Sequence, residues 1–334
     1  MADRDDPDLW ALSDLCAPWC LRVAATLRVA DHIADGASQI DELARRAEAD
    51  ARSLERVLRY LVGIGIFAEP EPGRFTLNPA AEKLRDGHPS GLRFILDQNG
   101  FGSRMDGAWS TLLSAVQTGK PAYAERFGLS FWDDLDAHPG IAASFDALMG
   151  PAGHATPSPD IPLTSGWESV RTVVDVGGGT GTLLAEVLRA HPGVHGVLVD
   201  LPRTVARSGP TFQAAGVADR VTSASQSFFD PLPAGADLYL LKSVLPDWPD
   251  AEAAAILRRC AEAARANPNG RVVLLNGVSP DDAGPAPELL MLVLVGGKDR
   301  GLSEFRALAL SAGLEVVATT RQPSGRFVVE CRPI

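Results

Sequence analysis

The sequence predicts an α/β domain with a mostly parallel, seven-stranded sheet, preceded by a mainly α-helical domain. Two patterns in the second half of the chain predict the sheet. Short runs of β-branched and aliphatic residues alternate with helical segments, and a glycine-rich turn joins the first of these runs to its helix. Strands that alternate with helices pair in parallel and carry the helices on the faces of the sheet. The first part of the chain shows helical segments and one hairpin instead.

The N-terminal region predicts helices that lead into this hairpin. A broad apolar face predicts helix over residues 8–35, and shorter helices follow at 40–44 and 51–61. The runs 66–69 and 74–77 flank a turn at Pro72-Gly73 and predict the hairpin. Helices followed by a hairpin are typical of a winged helix, a fold that often binds DNA. Residues 90–165 predict a helical connector that ends in the proline-rich loop 151–162.

Seven short segments are predicted to form the strands of the sheet. They are residues 173–176, 197–200, 221–225, 238–241, 272–275, 314–319 and 327–331. Asp250 is predicted to cap a helix over 251–266. Because the carboxyl ends of parallel strands face the ligand crevice, the residues that follow these runs are candidates for binding.

The glycine turn predicts the chemistry of the ligand. The segment from Val173 to Gly181 reads V-V-D-V-G-G-G-T-G, and Thr182 stands where the dinucleotide fingerprint G-x-G-x-x-G has its last glycine. Asp175 would repel a pyrophosphate but can accept hydrogen bonds from an amino group. Asp200, at the end of the next strand, is placed to bind two ribose hydroxyls. The two acids favour S-adenosylmethionine (SAM) over a nicotinamide dinucleotide, and a purely structural glycine turn is the alternative.

Composition narrows the class of partner. The 334 residues carry a net charge of -11, which argues against a nucleic-acid partner because phosphate binding needs a basic face. No apolar run is long enough to cross a membrane, and the acidic start predicts no signal peptide. The four cysteines form no C-x-x-C pair, which predicts a reducing cytoplasm and no metal site.

Ordered motifs along most of the chain resemble those of SAM-dependent O-methyltransferases from plant phenolic and bacterial antibiotic pathways. The motifs are D-V-G-G-G-T-G at 175–181, D-L-P at 200–202, S-F-F-D-P-L-P at 227–233, D-W-P-D at 247–250 and G-G-K-D-R at 296–300. The resemblance implies a Rossmann-like SAM-binding domain over 166–334 and a winged-helix dimerisation domain over 1–100. Residues 101–165 would line the acceptor pocket. It implies a homodimer formed partly by the N-terminal helix, for which an ordinary core helix is the alternative.

The resemblance also implies which residues touch the ligands. The predicted cofactor contacts are Asp175, Gly177, Gly179, Asp200, Leu201, Ser227, Phe228 and Lys242. The predicted acceptor contacts are Asn99, Met105, Trp109, Phe131, Trp132, Met291 and Val295, with Met149 near the methionine part of SAM. For the aromatic members of this second set, packing in the core is the alternative.

The sequence departs from the family at the catalytic positions. The family carries a histidine base directly before the Asp-Trp pair and a carboxylate after the following strand, whereas this chain has Pro246 and Asn276. Asp247, Asp299 or His154 could act as a substitute base. Ser227 stands where many members have an aspartate that contacts the adenine.

Three functions follow from these residues. The first is methyl transfer to an aromatic or polyketide hydroxyl or carboxyl group, with S-adenosylhomocysteine (SAH) as the product and proximity in place of the histidine base. The second is a related enzyme that retains SAM for hydroxylation, decarboxylation or rearrangement of an aromatic polyketide. The third, a DNA-binding regulator, is disfavoured by the net charge.

Overall fold

The computed structural model describes residues 7–149, 158–283 and 288–334. The chain divides into two compact units. Unit 1 is Met1–Asp106 with Pro139–Leu148, and unit 2 is Gly107–His138 with Met149–Ile334. Residues of the predicted connector, 101–165, therefore contribute to both units.

The helices and strands have the following bounds. The first helices are α1 (Leu9–Ser13), α2 (Cys16–Thr26), α3 (Val29–Ala34), α4 (Ile40–Arg46), α5 (Ala51–Gly63), α6 (Leu92–Leu96), α7 (Gly102–Ala108), α8 (Leu112–Thr118), α9 (Tyr123–Phe127), α10 (Phe131–Ala137) and α11 (Pro139–Met149). The later helices are α12 (Thr182–Ala190), α13 (Pro202–Val205), α14 (Gly209–Ala214), α15 (Asp250–Ala264), α16 (Leu289–Leu294) and α17 (Leu302–Ser311). The strands are β1 (Ala68–Glu71), β2 (Arg74–Thr76), β3 (Thr172–Val176), β4 (His195–Asp200), β5 (Val221–Ser225), β6 (Leu238–Lys242), β7 (Arg271–Leu275), β8 (Val278–Ser279), β9 (Arg300–Gly301), β10 (Leu314–Arg321) and β11 (Phe327–Pro333).

The prediction of one helix over residues 8–35 is wrong, because the segment forms α1, α2 and α3. Asp14 has an extended backbone, and its carboxylate accepts the Cys16 N–H at 2.9 Å, so a new helix starts there. Arg28 has a left-handed backbone with φ of 52°, which separates α2 from α3. The apolar residues still share one core with α4, α5 and the β1–β2 hairpin.

Helix α5 ends at the glycines that follow it in the sequence, as predicted. Gly65 has φ of 80°, the Ile66 N–H donates to the Leu61 carbonyl at 2.8 Å, and the Gly65 N–H donates to the Val62 carbonyl at 2.9 Å. This is a Schellman motif. The α5 residue Arg59 pairs with Glu55 and Glu69, so one of the helix's cations is neutralised by its own unit. That pairing adds to the charge argument against DNA.

Unit 2 contains the predicted mostly parallel, seven-stranded sheet, in the order β10-β11-β7-β6-β3-β4-β5. Strands β5, β4, β3, β6 and β7 are parallel, and β11 and β10 are antiparallel additions at one edge. Helices α15 and α17 cover one face, and helices α12 and α14 cover the other. The central strands β3, β6 and β7 are buried on both faces, which explains why they appear in the sequence as largely apolar runs.

The prediction that Asp250 caps helix α15 is wrong. The helix begins at Asp250 with Pro249 at the N-cap position, and the Asp250 carboxylate instead accepts from the Arg300 Nε at 3.0 Å. Arg300 is fully buried and also donates to the carbonyls of Leu245 at 3.0 Å and Trp248 at 2.7 Å. A buried guanidinium therefore fixes the loop between β6 and α15, which carries Pro246.

Two general features concern the parts of the chain that the structure describes. None of their helices is both long enough and apolar enough to cross a membrane. No group of three or more His, Cys, Asp or Glu side chains among them could hold a metal ion.

Gly181→Ala should destabilise unit 2, because Gly181 has φ of 82° and an added Cβ would overlap the Phe212 ring. Backbone strain together with overpacking should lower the free energy of unfolding by about 2–4 kcal/mol. Chemical denaturation measures the change. Gly179→Ala is the matched control, because it has φ of 63° but no described atom within 4 Å of the added Cβ. An equal loss in both variants would contradict the packing argument.

Candidate active site

The predicted cofactor residues of unit 2 come together at the carboxyl edge of its parallel strands. Strand β3 ends at Val176 before the glycine turn, β4 ends at Asp200, and β6 ends at Lys242. The chain leaves β3 toward β4 and β5 and then returns on the other side of β3 as β6. This reversal between β3 and β6 is the topological switch point, where parallel sheets open a crevice for ligands.

The glycine turn is shaped for close approach of a ligand. Gly177 and Gly179 have φ of 67° and 63°, which side chains rarely adopt. A Cβ on Gly177 would lie 2.9 Å from Val244 Cγ2 and 3.3 Å from Phe228 Cε1. By contrast, no described atom lies within 4 Å of a Cβ built on Gly179. The turn is therefore open at Gly179, and the free N–H groups at the start of α12 follow it.

The Asp200 carboxylate joins the end of β4 to this turn. Its Oδ2 accepts the Gly179 N–H at 2.8 Å, and its Oδ1 accepts the Leu201 N–H at 2.8 Å. Burial raises the pKa of Asp200, and these hydrogen bonds, together with one from the Thr204 hydroxyl, oppose the rise. A carboxylate has about four acceptor positions, so these three bonds leave about one. Asp200 thus supports the turn and keeps the capacity to bind a hydroxyl group.

Asp175 lies beneath the turn. It is 1% exposed, its Oδ2 has no hydrogen-bond partner among the described residues, and that atom lies 2.5 Å from a Cβ built on Gly178. Burial, with a smaller contribution from the charge of Asp200, raises the pKa of Asp175 to about 7, and the Lys242 ammonium acts in the opposite direction. Burial and Arg326 lower the pKa of Lys242. A direct hydrogen bond between Asp175 and the amino group of a ligand stays a prediction. The electrostatic effect of Asp175 on the glycine turn follows from the position of the carboxylate beneath it.

An aromatic cluster borders the turn and consists of Phe228, Phe229, Trp248 and Trp132. The Phe228 ring lies edge-on to Trp248 at 5.7 Å, and Trp248 stacks on Trp132 at 5.7 Å with an interplanar angle of 15°. Ser227 Oγ accepts the Phe229 N–H at 3.2 Å and keeps its own O–H to donate. The cluster therefore runs from the predicted cofactor contact Phe228 to the predicted acceptor contact Trp132.

The other predicted acceptor residues are spread over both units. Asn99 and Met105 belong to unit 1, and Trp109, Phe131, Trp132, Met291 and Val295 belong to unit 2. Phe131 is 4% exposed and packs edge-on against Tyr123 and Trp132, at 5.5 and 4.8 Å. It supports Trp132 and offers little surface of its own. Trp109 is 42% exposed, and Met149, at the end of α11, is exposed to a similar fraction.

The two acids predicted as substitute bases differ in their surroundings. The Asp247 carboxylate has no hydrogen-bond partner among the described residues, and burial, helped by the charge of Glu288, raises its pKa to about 7. Asp299 instead accepts from the Ser279 hydroxyl at 2.5 Å. Of the two, Asp247 has the free carboxylate and the proton affinity of a general base. His154 lies outside the described residues.

Sequence reasoning missed three residues at this edge. Trp248 and Arg300 lie in motifs that were recognised but were given no role, and Ser243 was not considered. A fully buried arginine must bind several acceptors, but the burial of Arg300 is a property of the folded structure that the sequence alone did not mark. The positive φ of Ser243 left no mark in the sequence.

The chain belongs to the O-methyltransferase family and is an enzyme of that class. The O-methyltransferase domain matches residues 109–315, and the O-methyltransferase dimerisation domain matches residues 10–86. These matches confirm the family predicted from the motifs.

Individual relatives are similar over nearly the whole chain. One is the 2,7-dihydroxy-5-methyl-1-naphthoate 7-O-methyltransferase of Streptomyces carzinostaticus, 45% identical over 93% of each chain. Another is the aclacinomycin 10-hydroxylase of Streptomyces purpurascens, 40% identical over 95% of this chain and 86% of the relative. Among solved structures, an O-methyltransferase from neocarzinostatin biosynthesis, in complex with SAM and 2-hydroxy-5-methyl naphthoic acid, matches with a TM-score of 0.90 and 43% identity. That match covers 99% of this chain and 100% of the other.

Asp175→Asn should change the pH dependence of stability. The folded carboxylate holds its proton up to about pH 7, whereas the unfolded one releases it near 3.8. The folded state therefore binds more protons between these values, and ionisation costs it stability as the pH rises. The asparagine variant should gain free energy of unfolding relative to the wild type by up to about 1.4 kcal/mol per pH unit across that window.

Denaturation at pH 4.5, 6 and 7.5 measures this gain. Asp50→Asn is the control, because hydrogen bonds to Ser53 lower the pKa of Asp50 and its titration falls below the window. A difference between the Asp175 variant and the wild type that stays constant with pH would contradict the assigned pKa.

Proposed function

We propose that this enzyme transfers a methyl group from SAM to a hydroxyl or carboxyl oxygen of an aromatic or polyketide molecule in secondary metabolism. The observation that carries the proposal is the glycine turn at the switch point, with Asp200 bound to Gly179 and Phe228 against Gly177. The similarity to a naphthoate O-methyltransferase supports the class of acceptor.

The residues at the carboxyl edge fit SAM as the cofactor. Asp200 keeps an acceptor position for a ribose hydroxyl, Phe228 offers a ring for the adenine, and Ser227 offers a donor. The buried Oδ2 of Asp175, which lacks a partner among the described residues, suits a positively charged ligand on the other side of the turn. Solved relatives contain SAM or SAH. When bound, SAM supplies a methyl group on a positively charged sulfur and leaves as SAH.

The chain must also control the proton of the acceptor. Pro246 cannot take a proton, and Asn276 cannot hold a histidine by charge. For a neutral hydroxyl, Asp247 is our candidate base, and the pKa of about 7 makes it competent near and above neutral pH. Asp299 is the weaker candidate, because it is already bound to Ser279. An acceptor that arrives ionised needs no base, and positioning alone then lowers the barrier.

A second function has support from a specific relative. The aclacinomycin 10-hydroxylase is 40% identical to this chain, so a closely similar sequence serves a different reaction. Loss of both usual catalytic side chains fits such a change. We therefore keep hydroxylation, decarboxylation or rearrangement of an aromatic polyketide, with SAM retained, as the alternative.

We further propose that the active form is a homodimer in a reducing cytoplasm. Helices α1 and α2 leave a row of large apolar side chains exposed in the single chain, namely Leu9, Trp10, Leu12, Leu15 and Trp19. They lie in or beside the matched dimerisation domain, and all four cysteines are free thiols. A monomer mass in sedimentation equilibrium at micromolar concentration would contradict the dimer.

SAM labelled at its methyl group separates the two functions. We expect label in the product when the enzyme is incubated with a panel of hydroxynaphthoates, phenolic polyketides and aryl acids, followed by mass spectrometry. Substrate consumed without label, and only when SAM or SAH is present, would establish the alternative. If there is no turnover and calorimetry shows no binding of SAM, both proposed functions are refuted.

Asp200→Ala should weaken SAM binding at least about tenfold, because the charge-assisted hydrogen bonding to the ribose would be lost. Isothermal calorimetry measures the dissociation constant. Asp200→Asn is the control, since its amide keeps one acceptor oxygen and should bind with intermediate affinity. Because Asp200 also holds the glycine turn, a thermal melt of each variant must accompany the titration. Unchanged affinity in the alanine variant would refute the ribose assignment.

A further inference from the structure

Two neighbouring strands of the sheet end in the same unusual way. Strands β6 and β7 are paired up to Lys242 and Leu275, and the next residues, Ser243 and Asn276, both have left-handed backbones with φ of 56° and 71°. Glycine adopts this conformation without cost, asparagine tolerates it, and serine rarely occurs there. Strain of this kind is retained mainly at functional sites. The two side chains therefore require an explanation beyond the turn itself.

The two side chains meet. Asn276 Nδ2 donates to Ser243 Oγ at 3.0 Å, and the Ser243 N–H donates to the Leu275 carbonyl at 2.9 Å. Both residues are exposed. The hydrogen bond uses one amide proton and one lone pair, so the Ser243 hydroxyl proton, the second amide proton and Asn276 Oδ1 remain. The pair thus offers two donors, with acceptor lone pairs on Asn276 Oδ1 and Ser243 Oγ, and carries no charge.

The pair lies beside both the cofactor turn and the position of the missing base. Val244 lies between Ser243 and Pro246 in the chain. Its side chain would be 2.9 Å from a Cβ atom added to Gly177. On the other side, a Cβ built on Gly277, next to Asn276, would lie 2.5 Å from the Pro246 ring. These two contacts place the pair next to the glycine turn on one side and next to position 246 on the other.

We propose that Ser243 and Asn276 form a neutral pair that binds and orients the acceptor as an oxyanion, either a phenolate or an aryl carboxylate. This inference rests on the proposed methyl transfer and names the form of its acceptor. Two outward donors stabilise an anionic oxygen, whereas a carboxylate at position 276 would repel it. In the transfer, an oxygen lone pair forms the bond to the methyl carbon. The carbon–sulfur bond breaks with its electrons moving to sulfur, and no proton has to be removed.

Glycine substitutions test the pair, because they remove the side chains and also relieve the backbone strain. Ser243→Gly and Asn276→Gly should each reduce kcat/KM for 2-hydroxy-1-naphthoate about tenfold or more, with the melting temperature unchanged or raised. Affinity for SAH should stay within about twofold of the wild type. Glu48→Gly is the matched control, since Glu48 is exposed in unit 1 with φ of 52°. It should relieve strain and leave kcat/KM unchanged.

Calorimetric binding of 2-hydroxy-1-naphthoate in the presence of SAH provides a readout that does not depend on turnover. Weaker binding in both glycine variants supports the pair even if no methyl is transferred, so failure of the methyltransferase proposal remains distinguishable. The pair is refuted if both variants keep wild-type binding and kcat/KM, or if they lose activity, SAH affinity and melting temperature together. If the wild-type enzyme binds or methylates uncharged 2-naphthol but not the naphthoate, the proposal that the acceptor binds as an oxyanion is refuted.

Discussion

The site depends on the hydrogen bond from the Gly179 N–H to the Asp200 carboxylate. Parallel strands bring their carboxyl ends to one edge, but each strand then continues into its own loop. The Gly177 N–H donates to the Val199 carbonyl at 2.8 Å, which holds the start of the glycine turn to β4. Asp200 holds the turn further along, at Gly179, and its second oxygen holds the start of α13 through Leu201. The turn can therefore stay open at Gly179 without collapsing. Arg300 has the same role on the other side of the crevice, where it binds the carbonyls of Leu245 and Trp248.

The same edge also contains groups that cost stability. Asp175 is buried without a full set of partners among the described residues, and Ser243 and Asn276 have strained backbones. A protein selected for stability alone would place an apolar side chain at 175 and glycine at 243 and 276. The large core of unit 2, with helices on both faces of the sheet, allows these costs to be retained at the ligand crevice.

Much of the fold could be predicted from the sequence, because its signals are local. Strands buried on both faces appear as apolar runs, and the positive-φ turns at Gly65, Gly73 and Gly177 carry glycine. Where the signal was not local, prediction failed. The caps that divide residues 8–35 depend on single side chains, and Asp250 pairs with Arg300, 50 residues away. The burial of Phe131 and the strain at Ser243 depend on tertiary contacts that no single-chain pattern contains.

The departures at 246 and 276 follow one chemical logic. A histidine base and its carboxylate remove a proton from a neutral hydroxyl, and the carboxylate adds negative charge beside the acceptor. Here Pro246 packs toward Gly277, and the charged partner is replaced by an amide bound to Ser243. The first change removes the proton acceptor, the second removes a negative charge from the edge, and the amide leaves hydrogen-bond donors there. Such a site favours an acceptor that is already ionised, and for a neutral hydroxyl Asp247 stays the candidate base. A polyketide anion held in this way can also react by routes other than methylation, so the same pair is compatible with the alternative function proposed above.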